Sequence, residues 1–284
     1  MKLRLTVLNV LSLTALALTM TACGNANQAA DGDATRQVKV VGYTANVPFV
    51  YLDEDGELTG YEPAVLRAID ELLTQYEFSY EGMDFAAMPV ALEAGNAQIA
   101  VCMLVKSEER LERFIFPEEP STLSPMNFLI KEGRDDIQVF DDIGGKIVAT
   151  GNSGYEYVHM VKWNEKHPGN EIQFWLTNET NSADVYPKIL AGEIDAQLLY
   201  PQGFQYIEED QGWSGLALSP VVFVEDTYFM LGKDETELRD AIDGALKTLK
   251  ADGTLGKISE EWLGEDVFEV YKDIFAAQGD WQEK

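Results

Sequence analysis

The amino-acid sequence predicts an α/β protein of two similar lobes, and three features carry that expectation. From residue 38 onward, apolar runs of strand length alternate with longer stretches whose apolar residues recur at helical spacing. The segments LEAGNAQIA (92–100) and ILAGEIDAQ (189–197) repeat one local plan: a helix end, Ala-Gly, then a strand. Of the 284 residues, 46% are hydrophobic and 25% charged, a globular composition sufficient for one large domain or two modest ones.

The elements follow in order. A short apolar strand spans 38–42. Residues 49–52 and 58–61 flank Asp53-Glu54-Asp55-Gly56, and such a turn between apolar runs reads as a hairpin. It lacks the Asp-x-Asp-x-Asp-Gly start and distant Glu of a calcium loop, so no metal is expected there. Pro63 suits a first helical turn, and Val65, Leu66, Ile69, Leu72 and Leu73 follow at helical spacing. Phe85, Met88, Ala91 and Leu92 predict a second helix ended by Gly95. Residues 99–105 read as a strand apolar on both faces, and Ser107-Glu108-Glu109 as a helix start. A strand over 147–150 leads through Gly151-Asn152-Ser153-Gly154 into a helix that Pro168-Gly169 stops. Residues 185–190 are predicted helical and 196–200 a strand. Leu238, Ile242, Leu246 and Leu249 line one face of a helix over 237–250, and Val267, Phe268, Tyr271 and Ile274 predict a last one.

The first 22 residues are expected to lie outside this fold. Lys2 and Arg4 precede an apolar run over 5–18, and Thr21-Ala22-Cys23-Gly24 follows with small residues at the exit, the pattern of a secretory signal. With Cys23 directly after the small residues, the signal is similar to that of bacterial lipoproteins, although Met20 stands where Leu is usual. That likeness implies lipidation of Cys23 and a place outside the cytoplasm, on a Gram-positive cell's outer membrane face or in a periplasm. Residues 23–37 then form the lipidated cysteine and a polar tether. Cys102 would be left as the one remaining cysteine, so no intramolecular disulfide is expected.

Charge excludes whole classes of partner. Lys plus Arg is 21 against 49 Asp plus Glu, a formal charge of −28. A nucleic-acid binder needs the opposite sign to displace counterions from phosphates. An anionic membrane surface would repel the chain as well, so a lipid anchor is the one membrane attachment expected.

Several short motifs, taken in order, point to a family. They are Val41-Gly42, Pro48-Phe49, Leu58-Thr59-Gly60-Tyr61, Ala94-Gly95, Ser107-Glu108-Glu109-Arg110 and Phe114-x-Phe116-Pro117. Ile143-Gly144-Gly145-Lys146, Ala191-Gly192-Glu193-Ile194-Asp195-Ala196, a stretch from Leu249 through Gly253 to Ile258, and Trp262 complete the set. Over residues 38–264 the chain resembles the family 3 extracellular solute-binding proteins of amino-acid ABC importers. The resemblance implies a periplasmic-binding-protein type II-like fold, two α/β lobes joined by a two-segment hinge. The crossings are expected near 121–126 and 224–229, with lobe 1 at 38–122 and 227–284 and lobe 2 at 123–226. It further implies a monomer that closes on a small ligand bearing a carboxylate, an amino acid or analogue, and delivers it to ABC permease subunits.

The same resemblance names a ligand site. Arg110 is expected to fork two hydrogen bonds to a ligand carboxylate, which guanidinium geometry suits. Ser153 and Gly154, at the start of a helix, offer an anion seat. Phe85 is the expected aromatic wall; Tyr43, Asn46, Phe49, Met103 and Val105 line the first lobe, and Tyr155 and Tyr200 face them from the second. The family's usual partner for a ligand ammonium, an Asp five residues after Asp195, is here Tyr200. Val105, Thr44 and Ala64 also depart from the family pattern. Either Glu62, Glu156 or Glu225 supplies the missing charge, or the ligand is a non-amino-acid aromatic carboxylate.

A catalytic role finds little support in the residues. Some proteins of this fold are enzymes, cyclohexadienyl dehydratases among them. Here no Gly-x-Ser-x-Gly, His-Glu-x-x-His, P-loop or Cys-x-x-Cys occurs, so no cofactor or metal is expected. His159 and His167 read as surface histidines near or on one polar helix.

Overall fold

The computed structural model describes residues 35–151, 155–177, 184–209 and 212–278. The predicted signal, Cys23 and the tether up to residue 34 lie outside the described residues. The first strand, β1 (Arg36–Tyr43), begins two residues before the predicted start. Arg36 N–H donates to Gln75 O at 2.9 Å, and its guanidinium pairs with Glu235 at 2.6 Å.

β2 (Ala45–Asn46), β3 (Val50–Leu52) and β4 (Leu58–Thr59) form a small antiparallel sheet. Its acidic turn is closed by Asp53 Oδ1, which accepts the N–H groups of Asp55 and Glu57. The carboxylate thus serves the backbone, as the hairpin reading requires. α1 (Tyr61–Leu72) carries Pro63 in its first turn and buries Val65, Leu66 and Ile69. After β5 (Tyr76–Met83) comes α2 (Ala87–Glu93). Phe85 therefore precedes the helix rather than forming part of it, because the N–H of Ala87 closes a turn onto Asp84 O. β6 (Ile99–Leu104), α3 (Glu108–Arg113) and β7 (Phe114–Ile115) lead to a ten-residue strand, β8 (Thr122–Lys131).

β9 (Ile147–Thr150), α4 (Tyr155–Lys166), β10 (Gln173–Leu176), α5 (Val185–Ala191), β11 (Ala196–Leu199), α6 (Pro201–Glu209) and β12 (Leu216–Leu218) follow. A second ten-residue strand, β13 (Phe223–Gly232), precedes α7 (Thr236–Ala251), α8 (Thr254–Leu263) and α9 (Val267–Gln278).

The strands hydrogen-bond in the order β10-β9-β11-β8-β13-β6-β1-β5. At the centre, β8 and β13 run antiparallel, from Thr122 opposite Thr227 to Met126 opposite Phe223. On either side the neighbours are parallel: β1 with β5 and β6, and β9 with β10 and β11. Each side has its own core. Val38, Ile69, Phe229 and Leu246 belong to one; Phe128, Ile143, Val148 and Met160 belong to the other. Tyr200 packs against both. Each fully buried aliphatic side chain contributes about 1.5–3 kcal/mol.

The last helix braces the central strands. At its end Gln278 Oε1 accepts the N–H of Val224 at 2.9 Å, and Nε2 donates to Val224 O at 2.6 Å. One side-chain amide so completes a backbone edge on β13 where Val224 is fully buried. Gln278→Ala leaves both groups without that partner, at a cost of about 2 kcal/mol. A Tm lower by roughly 4–8 °C is expected by calorimetry; an unchanged Tm would show that solvent replaces the amide.

Candidate ligand-binding site

Arg110 takes its direction from the start of α3. Ser107 Oγ accepts the N–H of Arg110 at 3.2 Å, the N-cap that the sequence predicts. The guanidinium turns back toward the end of β6, where Nη1 donates to Val105 O at 2.8 Å. Among the described residues no carboxylate pairs with it, and burial lowers its pKa.

β6 ends in an unusual backbone. Met103 has φ 51°, a left-handed conformation that costs a residue with a side chain about 1–2 kcal/mol. Two contacts hold it there. Its N–H donates to Glu62 Oε2 at 3.0 Å, and its sulfur accepts from Thr227 Oγ1 of β13 at 3.7 Å. Glu62 is 0% exposed, its Oε1 has no partner, and burial pushes the carboxyl up to about 8. The Met103 bond opposes that rise without cancelling it.

A file of titratable groups runs from Arg110 across the centre of the molecule. Burial raises the Cys102 thiol, with the charge of Glu62 pushing the same way and that of Arg110 opposing; Asn46 hydrogen-bonds it. The Tyr200 phenol is raised by burial and then by Glu156, Cys102 and Glu62. Burial raises Glu156 as well, with Glu225 adding to the shift. Fully buried Glu225 brings Oε2 within 3.7 Å of His159 Nε2.

The predicted residues fall into three groups. Arg110, Asn46, Met103, Val105 and Tyr200 gather around this file. Tyr43 and Phe85 meet edge to face at 6.3 Å, and Phe85 is 44% exposed. Phe49 is only 2% exposed, packed in the core with its ring edge-on to Tyr200 at 5.5 Å. Ser153, Gly154 and the side chain of Tyr155 lie outside the described residues.

Two sequence expectations are corrected. His159 is not a surface residue: it packs near Phe223, and burial with the nearby Lys162 lowers its pKa to about 4. His167 stacks on Trp163 at 3.9 Å. His159 lies on α4 and His167 directly follows its end; the packing of His159 against β13 is something a helical-spacing argument on one segment does not reveal. Asp195 of the repeated Ala-Gly motif serves the fold, accepting from Arg134 Nη1 and the N–H of Ile147, each at 2.8 Å. Among the described residues no His, Cys, Asp or Glu cluster could hold a metal. A cavity of about 540 Å³ lies elsewhere, between Leu123, Asp226 and Tyr228 and the helices bearing Leu255, Phe268 and Phe275; no candidate ligand residue lines it.

Known proteins share this architecture. Residues 38–265 match the bacterial extracellular solute-binding proteins, family 3. The L-cystine-binding protein TcyJ of Bacillus subtilis is 33% identical over 260 residues, 90% of this chain and 94% of that one. Among solved structures, the extracellular-binding protein ytmK of Bacillus subtilis superposes with a TM-score of 0.70 at 27% identity, covering 82% of this chain and 100% of its own. The L-cystine solute receptor of Neisseria gonorrhoeae, in an unliganded open conformation, has a TM-score of 0.62 at 23% identity, covering 83% and 95%, and shows the shared fold. The fold is thus the periplasmic-binding-protein type, two α/β lobes joined by a two-segment hinge. By a match that spans nearly all of its described residues, the chain belongs to the bacterial extracellular solute-binding proteins of family 3.

Proposed function

We propose that this protein captures L-cystine or a closely related amino acid outside the cytoplasm and hands it to an ABC permease. One observation carries the reading: Arg110, a largely buried guanidinium with a backbone carbonyl as its hydrogen-bond acceptor and, among the described residues, no carboxylate in an ion pair with it. Desolvating a cation without a counter-ion is costly, and a ligand carboxylate would offset that cost. The relative named for L-cystine binding supports the ligand class.

In this reading β8 and β13 are the crossing segments between residues 38–122 with 227–284 and residues 123–226. The ligand bridges the lobes, and Ser153 and Gly154 are expected to complete its carboxylate seat. Closure follows only if the ligand binds the closed form preferentially. A lipid on Cys23 holds the monomer at the membrane, and no chemical step is required of it.

A thermal-shift series on the purified protein tests the ligand class. L-cystine at a hundredfold excess over Kd is expected to add about 2.7 kcal/mol, hence a Tm higher by roughly 5–10 °C. Benzoate is expected to add nothing. A shift with benzoate and none with L-cystine or other amino acids would overturn the reading in favour of an aromatic carboxylate.

A further inference from the structure

The two lobes repeat each other strand for strand: β5-β1-β6-β13 in one answers β10-β9-β11-β8 in the other. α1 is the first helix after β1, as α4 is the first after β9. Glu62 and Glu156 therefore hold the same place, the second residue of that helix, each directly after a tyrosine. Their surroundings repeat as well. Burial raises both carboxyls, and among the described residues no lysine or arginine offsets the rise at either. Tyr200 stands where the charge of both reaches its phenol, one acid from each lobe. Glu62 is fully buried with Oε1 unpartnered, an arrangement that costs free energy unless a positive group arrives.

Arg110 fixes the other end of the geometry. Glu62 is bonded to Met103 N–H and Arg110 to Val105 O, anchor points that three residues of backbone span and so at most about 10 Å from each other. An amino-acid head, with ammonium and carboxylate on one carbon and a hydrogen bond at each end, fits that span.

We propose that Glu62 and Glu156 are a matched pair of acceptors, one per lobe, for the two ammonium groups of a ligand that carries an amino-acid head at each end. The inference rests on the amino-acid-binding reading and deepens it. The buried Glu62 carboxyl is held largely neutral below pH 8 until an ammonium arrives; it then ionises, and its proton leaves to solvent. The groups facing Glu62 are Tyr61 on its own helix, Cys102 on β6 and Tyr200 after β11, with Arg110 of α3 beyond Cys102. Those facing Glu156 are Glu225 on β13 and Tyr200, with His159 of its own helix against Glu225.

Titration calorimetry on the full chain tests the pair with three disulfides: L-cystine, the mixed disulfide of L-cysteine with 3-mercaptopropionic acid, and 3,3′-dithiodipropionic acid. They carry two, one and no ammonium groups. Affinity is expected to fall at least tenfold at each step. L-cystine binding at pH 6.5, compared in two buffers of different ionisation enthalpy, is expected to release protons. Its affinity is expected to rise toward pH 8, by up to about tenfold per unit, and then level off as Glu62 ionises in the free protein. Glu62→Gln and Glu156→Gln are each expected to weaken L-cystine at least tenfold and leave dithiodipropionate within twofold, and Glu62→Gln is expected to reduce proton release as well.

Equal binding of L-cystine and the mixed disulfide would overturn the pair, and that comparison needs no variant to fold. A variant that weakens all three disulfides alike would overturn it too, since its acid would then only shape the site. If the wild-type protein binds L-cystine with no proton release, Glu62 is not the acceptor. If it binds none of the three, the amino-acid reading itself fails and this inference with it.

Discussion

Arg110→Ala is expected to cost at least about 30-fold in L-cystine affinity, the loss of one partner of a desolvated charge pair, about 2–5 kcal/mol. The ligand-free protein should hardly notice. Among the described residues Arg110 has no ion-paired carboxylate to abandon, and its side-chain bond there is to a single carbonyl, Val105 O. Its removal even relieves a desolvated cation. The Tm without ligand should therefore stay within about 3 °C of the parent, while the ligand-induced rise disappears. Arg110→Lys separates charge from geometry: the ammonium keeps the sign but loses the planar fork, so an intermediate affinity is expected. An Arg110→Ala protein that still binds L-cystine within twofold would sink the carboxylate assignment. One that fails to fold would show that the guanidinium is part of the frame instead.

The placement of Arg110 was legible because its setting is local: Ser107 caps the helix, and the third residue after the cap turns back to the strand end. The repeated helix–Ala-Gly–strand plan was legible for the same reason, and it correctly places α2 with β6 and α5 with β11. What was not legible depends on the partners across the fold. β8 carries Thr122, Ser124 and Asn127, and β13 carries Glu225 and Thr227, all buried. Their polar groups hide the apolar signature of central strands, and some are answered only by distant residues, as Asn127 is by Ser219 O at 2.8 Å. Phe49 reads as a mouth residue until Tyr200 covers it. Glu62 could be named as a substitute acid from its place in α1, but its isolation from water comes only from packing against β6.

Gly60→Ala is expected to damage stability and binding together, and the reason lies in how α1 begins. The N–H groups of Tyr61 and Glu62 have no partner within the helix; Pro48 O takes the first at 3.0 Å and Phe49 O the second at 2.9 Å. For those carbonyls to come so near, Gly60 adopts φ 114°, a conformation that L side chains rarely adopt. A Cβ there would stand 2.6 Å from Phe49 O and 2.8 Å from Pro48 O, and both are backbone atoms that cannot rotate away. Strain and overpacking each cost about 1–3 kcal/mol, so a loss of about 4 kcal/mol and a Tm lower by roughly 10 °C are expected. The same displacement moves Glu62 off the Met103 N–H and Phe49 off Tyr200, so L-cystine affinity should fall with Tm. Arg110→Ala, by contrast, should lose affinity alone. A Gly60→Ala protein with Tm within 2 °C of the parent would mean that the loop does not approach α1 this closely. Normal affinity at a lowered Tm would mean that the start of α1 supports the fold without positioning the ligand, and Glu62 would lose its claim on the ammonium.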